Sequence, residues 1–271
     1  MEYVTVGDVD VPALGFGTAR FDSNDVCQEA VEVALGAGYR HIDTAQIYGS
    51  EGAVGTAVET AAVDREDLFV TTKLADGNRD HDRVLESTTE SLETLGTEYV
   101  DLLLIHSPND EIPHEETIGA MNELQEEGAV RHVGVSNFSV QQLQDAMDIS
   151  ETPIVTNQVE YHPHRGQSDL LQTCIDEGVM LTAYSPLAVG DVLEDSTLTE
   201  IGERYEKTPA QVAIRWLLQQ PMVSTIPKAA GHEHIRENVD VFDFDLTDEE
   251  MREIFDGAGG LSDGLRERLD L

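Results

Sequence analysis

The chain has 271 residues and carries 16 Lys and Arg against 54 Asp and Glu, a formal charge of -38. That length is ample for a buried core and suits a single domain spanning residues 1–271. So acidic a surface is repelled by nucleic acid and by anionic membranes, and no apolar run approaches the ~20 residues of a membrane span.

The opening Met1-Glu2-Tyr3-Val4 lacks the basic-then-apolar pattern of a secretion signal, so a cytoplasmic protein is expected. Cys27 and Cys174 each lie in a helical stretch with no CxxC or disulfide-like neighbour. Acidic residues are dispersed, as in Glu123-Leu124-Gln125-Glu126-Glu127 and Asp248-Glu249-Glu250, and are not gathered into a tail. Most are solvated helix faces. Their number also suggests adaptation to high salt, where the Debye length falls to about 3 Å at 1 M and self-repulsion is screened.

In chain order, Tyr3 to Val11 alternates around Gly7-Asp8 and predicts a short hairpin. Ala13 to Gly15 reads as a brief first barrel strand, and Asn24 to Leu35 has helical periodicity that stops at Gly36. Strand-like runs recur near Arg40, Leu68, Val100, Val130, Ile154, Val179 and Val223. Helical segments near Glu51, His81, Glu115, Val140, Ser168 and Pro209 separate them. With Ala13 this makes eight strands alternating with helices, the count that closes an α/β (β/α)8 TIM barrel behind an N-terminal β-hairpin. Two extra C-terminal helices are expected near His232 and Thr247.

On this fold, sites lie at the carboxyl ends of the strands. The stretch Gly38 to Glu51, GYRHIDTAQIYGSE, puts Asp43 at a strand's end and Tyr48 in the loop beyond, before a helix entered through Ser50, an N-cap type. Leu68-Phe69-Val70-Thr71-Thr72-Lys73 delivers a lysine to the end of the next strand, and Val100 to His106 delivers a histidine to the end of a third. Taken singly, an Asp after a strand is more often a cap and a loop Tyr more often packing. Four such residues at the ends of three successive strands point to a common site.

These residues resemble the aldo-keto reductase superfamily, and the resemblance covers almost the whole chain. GYRHIDTAQIYGSE is similar to its first signature, GAVRHVGVSNF (Gly128 to Phe138) to its second, and STIPKAAGHEHIRENV (Ser224 to Val239) to its third. Departures are local: Ser50 stands where many members have Asn, and Ser107 where a Trp frequently follows the catalytic histidine.

The resemblance implies NAD(P)H-dependent reduction of an aldehyde or ketone to an alcohol. Tyr48 would be the general acid, assisted by Lys73, Asp43 and His106. A phenol has a reference pKa of about 10, so Lys73 is expected to lower it, with Asp43 holding Lys73 in place and His106 orienting the carbonyl oxygen. No side chain donates hydride, so a cofactor must. Gly15-Phe16-Gly17-Thr18 does not complete the GxGxxG fingerprint, which argues against a Rossmann domain. By resemblance the nicotinamide carboxamide would be held by Ser136, Asn137 and Gln158, with Tyr184 stacked on the ring. Gly17, Thr18, Ser185 and Leu187 would border the ribose and pyrophosphate.

In the third signature Lys228 suits the 2′-phosphate of NADPH, although Ala229 replaces the usual serine and His234 takes the family's arginine position. Arg236 lies two residues on, and Glu237 and Asn238 match the adenine-contacting pair. NADPH is therefore expected over NADH. Phe21, Ile47, Tyr48, Ser107 and Leu187 would line the mouth, and the polar tail from Gly257 to Leu271 offers no aromatic wall. Ser107 implies a wider or more polar pocket, and the acidic field disfavours anionic keto acids, which leaves neutral aldehydes, diketones or sugar-derived carbonyls.

His162-Pro163-His164 and His232-Glu233-His234 have HxH spacing without a convincing set of further ligands, so no metal is expected. Trp216 sits on an apolar helical run and reads as core. A monomer is expected, with a small carbonyl compound as partner. The competing reading is a nicotinamide-cofactor-binding regulatory or scaffold module with little turnover; it calls for a damaged tetrad or an added interaction segment, and neither is present.

Overall fold

The computed structural model describes residues 1–109, 112–269 and 271. It begins with an antiparallel hairpin, β1 (Tyr3–Val6) and β2 (Val9–Pro12), in which Val6 faces Val9 across a turn with Gly7 at φ 60°. Alternating elements follow: β3 (Phe16–Gly17), α1 (Asn24–Ala37), β4 (His41–Asp43), α2 (Glu51–Thr60), β5 (Phe69–Leu74), α3 (His81–Leu95), β6 (Val100–Ile105), α4 (His114–Glu126), β7 (Val130–Ser136) and α5 (Val140–Ile149). The remainder comprises β8 (Ile154–Glu160), α6 (Ser168–Glu177), β9 (Met180–Tyr184), α7 (Ser196–Tyr205), α8 (Pro209–Leu218), β10 (Val223–Thr225), α9 (His232–Val239), α10 (Asp248–Gly257) and α11 (Asp263–Leu269). The eight strands β3 to β10 are hydrogen-bonded in sequence order, the parallel α/β arrangement of a (β/α)8 fold.

The chain divides into two compact units, Phe16–Asn157 and a second made of Met1–Gly15 with Gln158–Leu271. In the first, β5 and β6 are buried at every position: β6 is apolar but for Asp101, while β5 carries Thr71, Thr72 and Lys73 into the interior. Register pairs Gly17 with Asp43, Asp43 with Thr71, and Lys73 with Leu104. Asp43, Lys73 and His106 therefore stand at the same end of three neighbouring strands. Gly55 lets α2 approach α3 closely, since a Cβ there would lie 2.4 Å from the Leu95 carbonyl oxygen.

Three local expectations need correcting. Helix α1 runs through Gly36 to Ala37, because the left-handed residue that ends it is Gly38, at φ 107°, whose N–H returns to the carbonyls of Ala34 and Leu35. The expected first strand at Ala13–Gly15 pairs in parallel only through a bridge from Leu14 to Thr225 of β10, and the pairing with β4 is made by Phe16–Gly17. In that bridge the Gly15 N–H donates to the Thr225 carbonyl and the Thr225 N–H donates to the Ala13 carbonyl, each at 2.8 Å. Ser50 precedes α2 but its hydroxyl does not cap it, lying 3.3 Å from the Thr44 hydroxyl.

In the second unit, Trp216 is fully buried on α8 with its ring 5.2 Å from that of Tyr161 and 5.0 Å from that of Phe255, as core packing predicts. Helix α7 was not expected from the sequence, although it buries Leu198 and Ile201 at helical spacing and Asp195 caps its first turn by accepting from the Leu198 N–H. Helices α9 and α10 occupy the two C-terminal positions expected, and the polar tail adds the short α11, which buries Leu265 alone. Among the described residues, Asp43, Glu51, Asp101 and Glu250 are the buried acids, so the acidity is overwhelmingly a surface property.

Candidate active site

In the first unit the sheet register brings together the four residues singled out at the strand ends. Asp43 and Lys73 are 2% and 1% exposed and form an ion pair, and the Lys73 ammonium also donates to the Thr44 carbonyl at 3.0 Å. A buried charge pair gains its value from fixed geometry rather than from net stabilisation, because both groups lose their hydration. Here it fixes an ammonium 5.2 Å from the centre of the Tyr48 ring. The His106 ring meets that of Tyr48 edge-on, with centroids 5.7 Å apart.

Tyr48 reaches this place on a 3₁₀ turn, Gln46–Tyr48, closed by Gly49 in the left-handed region at φ 65°. Gln46 ties the turn down: its amide donates to the Ser87 carbonyl and the Ser91 hydroxyl, and its Oε1 accepts from the Ala75 N–H and the Asn78 amide. The opposite flank is clamped by Thr18, whose hydroxyl and N–H both donate to the Asp43 carbonyl, at 2.9 and 3.0 Å. Gln46 was not anticipated from the sequence, since its partners lie as far as 45 residues away.

The electrostatics differ in one respect from expectation. Burial is the largest influence on Tyr48 and raises its pKa. The Lys73 ammonium opposes this both as a charge and as a donor, without reversing it. The phenol therefore stays protonated at neutral pH, as a group that must give up a proton should. For His106, burial and then the nearby Lys73 charge push the pKa down to about 4, so the imidazole is neutral at pH 7 and has one N–H to donate. Its Nδ1 is buried without a hydrogen-bond partner, the kind of unpaired atom that often marks a functional group.

Ser136 ends β7 nearly fully buried, and Asn137 follows at φ 63°. The Asn137 amide donates to the His106 carbonyl at 2.9 Å, which connects the second signature to this cluster. Of the residues expected to line the mouth, Ile47 is exposed, Phe21 lies 6.4 Å from Phe16 between ring centres, and the Ser107 hydroxyl donates to Asp76 Oδ1 at 2.7 Å. Asp76 and Arg79 next to Ser107 were also not anticipated.

In the second unit, Gln158 is buried on β8, and Tyr184 ends β9 half-buried. Ser185 (φ 51°) precedes Leu187, and Ala188, Val189 and Gly190 then follow one another in the left-handed region, costly for a β-branched valine. Lys228, beyond β10, and His234 on α9 are exposed, Glu237 is half-buried and Asn238 is buried. No side chain caps the N-terminus of α9, and the Arg236 guanidinium turns back to the His232 carbonyl at 3.3 Å. An exposed lysine before an uncapped helix start is a donor set that fits a phosphate. The HxH motif at His162 is internally committed: His162 Nδ1 accepts from the His164 N–H, and His164 Nε2 lies 2.8 Å from Asp195.

Residues 13–256 match the model of the Aldo/keto reductase family. The chain is 39% identical to the glyoxal reductase of Bacillus subtilis (strain 168) over 246 residues, 91% of this chain and 88% of that one. A solved structure with the provisional name 2,5-diketo-D-gluconic acid reductase B is 46% identical, with a TM-score of 0.93 over 95% of this chain and 91% of its own. The aldo-keto reductase of Bombyx mori, solved in complex with NADP, is 35% identical, with a TM-score of 0.87 over 93% and 91%. With its strand order, its strand-end cluster and this match over most of its length, the chain belongs to the aldo/keto reductase family and is an oxidoreductase acting on carbonyl groups.

Proposed function

We propose that this protein reduces an aldehyde or ketone to the alcohol with NADPH as the reductant and Tyr48 as the proton donor. The observation that carries the reading is the Asp43–Lys73 pair, buried and aimed at a phenol that is itself protonated, beside a neutral imidazole. NADPH, when bound, supplies hydride to the carbonyl carbon; what remains is to bind the carbonyl oxygen and deliver a proton to it. The His106 N–H hydrogen-bonds that oxygen and turns it toward the Tyr48 hydroxyl. As negative charge grows on the oxygen, Tyr48 passes its proton across, and the Lys73 ammonium stabilises the phenolate left behind. Asp43 keeps Lys73 charged and in register.

Ser136 and Asn137 are the carboxamide-side residues of this reading, and Asn137 is already braced on the His106 backbone. Lys228 and the start of α9 are the residues offered to the 2′-phosphate, which favours NADPH over NADH. One domain across residues 1–271 is the organisation that the family match over 13–256 supports. No described helix is long and apolar enough to cross a membrane. A cytoplasmic, monomeric, salt-adapted enzyme is the setting we favour, the last because the acids are almost all on the surface.

Loss of NADPH absorbance with a panel of aldehydes and ketones, in low and multimolar KCl and beside an NADH series, tests the proposal. Turnover is expected, with higher kcat/KM for NADPH and a higher melting temperature in the concentrated salt. Tight NADPH binding without turnover on any carbonyl would defeat the enzymatic reading; equal stability in low salt would defeat the salt adaptation alone.

A further inference from the structure

Asp76 lies three residues beyond Lys73, in the turn after β5, and is attached to the neighbour of His106. The Ser107 hydroxyl donates to Asp76 Oδ1 at 2.7 Å, and Arg79 Nη2 donates to the same oxygen at 2.8 Å. The two partners differ sharply in exposure: Arg79 is 1% exposed and the Asp76 side chain 73%. Ion pairs between two exposed side chains are weak and mobile. This one has a buried arm, since Arg79 Nε also donates to the Ala75 carbonyl at 3.2 Å, so the guanidinium is held and the carboxylate is held by it.

Three consequences follow from that geometry. The Arg79 charge is already answered by Asp76, so it offers little to an incoming anion. The hydrogen bonds from Ser107 and Arg79 both go to Asp76 Oδ1, and the side chain is largely exposed, so the carboxylate retains capacity to accept from a ligand. Asp76 also remains ionised: the Ser107 hydroxyl, ahead of Arg79, holds its carboxyl below the usual carboxylate range, and its charge in turn reaches the His106 ring. Ser107, with its small side chain, leaves this carboxylate uncovered where a bulkier residue would screen it.

We propose that Asp76, tied beside His106 by Ser107 and Arg79, is a specificity-determining residue that accepts a hydrogen bond from neutral, hydroxyl-bearing carbonyl compounds and repels carbonyl compounds that carry a carboxylate. The inference rests on the reductase reading above and narrows its substrate class. It also distinguishes between two similar proteins, one named for glyoxal and the other for a sugar keto acid, in favour of a neutral substrate.

The test uses two aldehydes of one shape, 4-(hydroxymethyl)benzaldehyde and 4-carboxybenzaldehyde, with the full chain and NADPH. In low salt the wild type should prefer the hydroxymethyl compound. Asp76→Asn, which keeps the shape and the Ser107 contact, should move the kcat/KM ratio about fivefold toward the carboxylate, chiefly through KM, as expected for removing one like charge from a partly solvated site. Glu93→Gln removes one charge from the exposed face of α3 and should move the ratio less than twofold. Ser107→Ala, which loosens the carboxylate without removing it, should shift the ratio in the same direction by a smaller amount and serves if the first variant does not fold. An unchanged ratio in Asp76→Asn, or an equal shift in Glu93→Gln, overturns the inference while leaving the reductase intact. If neither aldehyde is turned over while other carbonyl compounds are, the inference falls and the reductase reading stands; absence of turnover on every carbonyl tried removes that reading itself.

Discussion

Two histidine-bearing clusters in this protein show how little local spacing says about chemistry. Around His162 and His164 the sequence is dense in metal-like and acid–base types, yet every contact closes on itself. His164 reaches Asp195, and Asp195 also caps α7 by accepting from the Leu198 N–H at 3.0 Å. Asp43, Tyr48, Lys73 and His106 are scattered over three strands and a loop, and together they leave an ammonium, a phenol and an imidazole converging without being used up. The difference lies in burial and in spare hydrogen-bonding capacity. A structural cluster satisfies its groups, and a reactive one keeps some unsatisfied.

The comparison breaks most sharply at Tyr48. Tyr48→Phe should reduce kcat about a thousandfold, within the range of a lost general acid, while NADPH binding followed by fluorescence is unchanged. A variant with more than a tenth of wild-type turnover would take the proton donor away from Tyr48. Next in size is Lys73→Met, which strands the Asp43 carboxylate in the interior and should cost about 3–5 kcal/mol in urea unfolding. Adding Asp43→Asn to that variant should restore part of the stability and none of the activity; a double variant no more stable than the single would show that the pair is not the cause.

A smaller effect distinguishes His106 by pH. Its folded pKa of about 4 lies below the ordinary 6.5, so between those values the unfolded chain binds a proton that the folded one refuses. Stability from this group is complete above pH 6.5 and is lost as the pH falls toward 4. His106→Gln should flatten that acid-side loss by roughly 1–2 kcal/mol, the full shift being reduced by partial solvent screening. Equal slopes for variant and wild type between pH 7 and 4.5 would refute it. Smallest is the control in the other cluster: Asp195→Ala removes a helix cap and should cost about 1 kcal/mol, with kcat/KM within twofold of wild type. A large loss of activity there would mean that the histidine pair does more than hold the loop after β8.

Much of this arrangement was legible beforehand, for reasons that differ by region. The buried strands β5 and β6 announce themselves because an apolar run marks each, Leu68 to Val70 and Leu102 to Ile105, after which Lys73 and His106 stand out. Helix α7 was missed although Asp195 caps it and Leu198 and Ile201 stand three residues apart on its buried face. The boundary at β3 was misplaced because two adjacent segments share one extended run and differ only in which neighbour takes their hydrogen bonds.

By itself the sequence determined the alternation of strands and helices apart from α7 and α11, the surface location of the acidity, and the placing of Asp43, Lys73 and His106 at strand ends with Tyr48 in a loop, since each follows from residue types and short-range periodicity. Tertiary structure alone decided three further matters. It set the balance at Tyr48, where burial outweighs the Lys73 charge, because desolvation depends on the whole surrounding volume and not on neighbours in the chain. It recruited Gln46 to anchor the turn that carries Tyr48, through partners brought near only by folding. And it joined Asp76 to Ser107, 31 residues apart in the chain, because β5 and β6 are adjacent and end at the same side of the sheet.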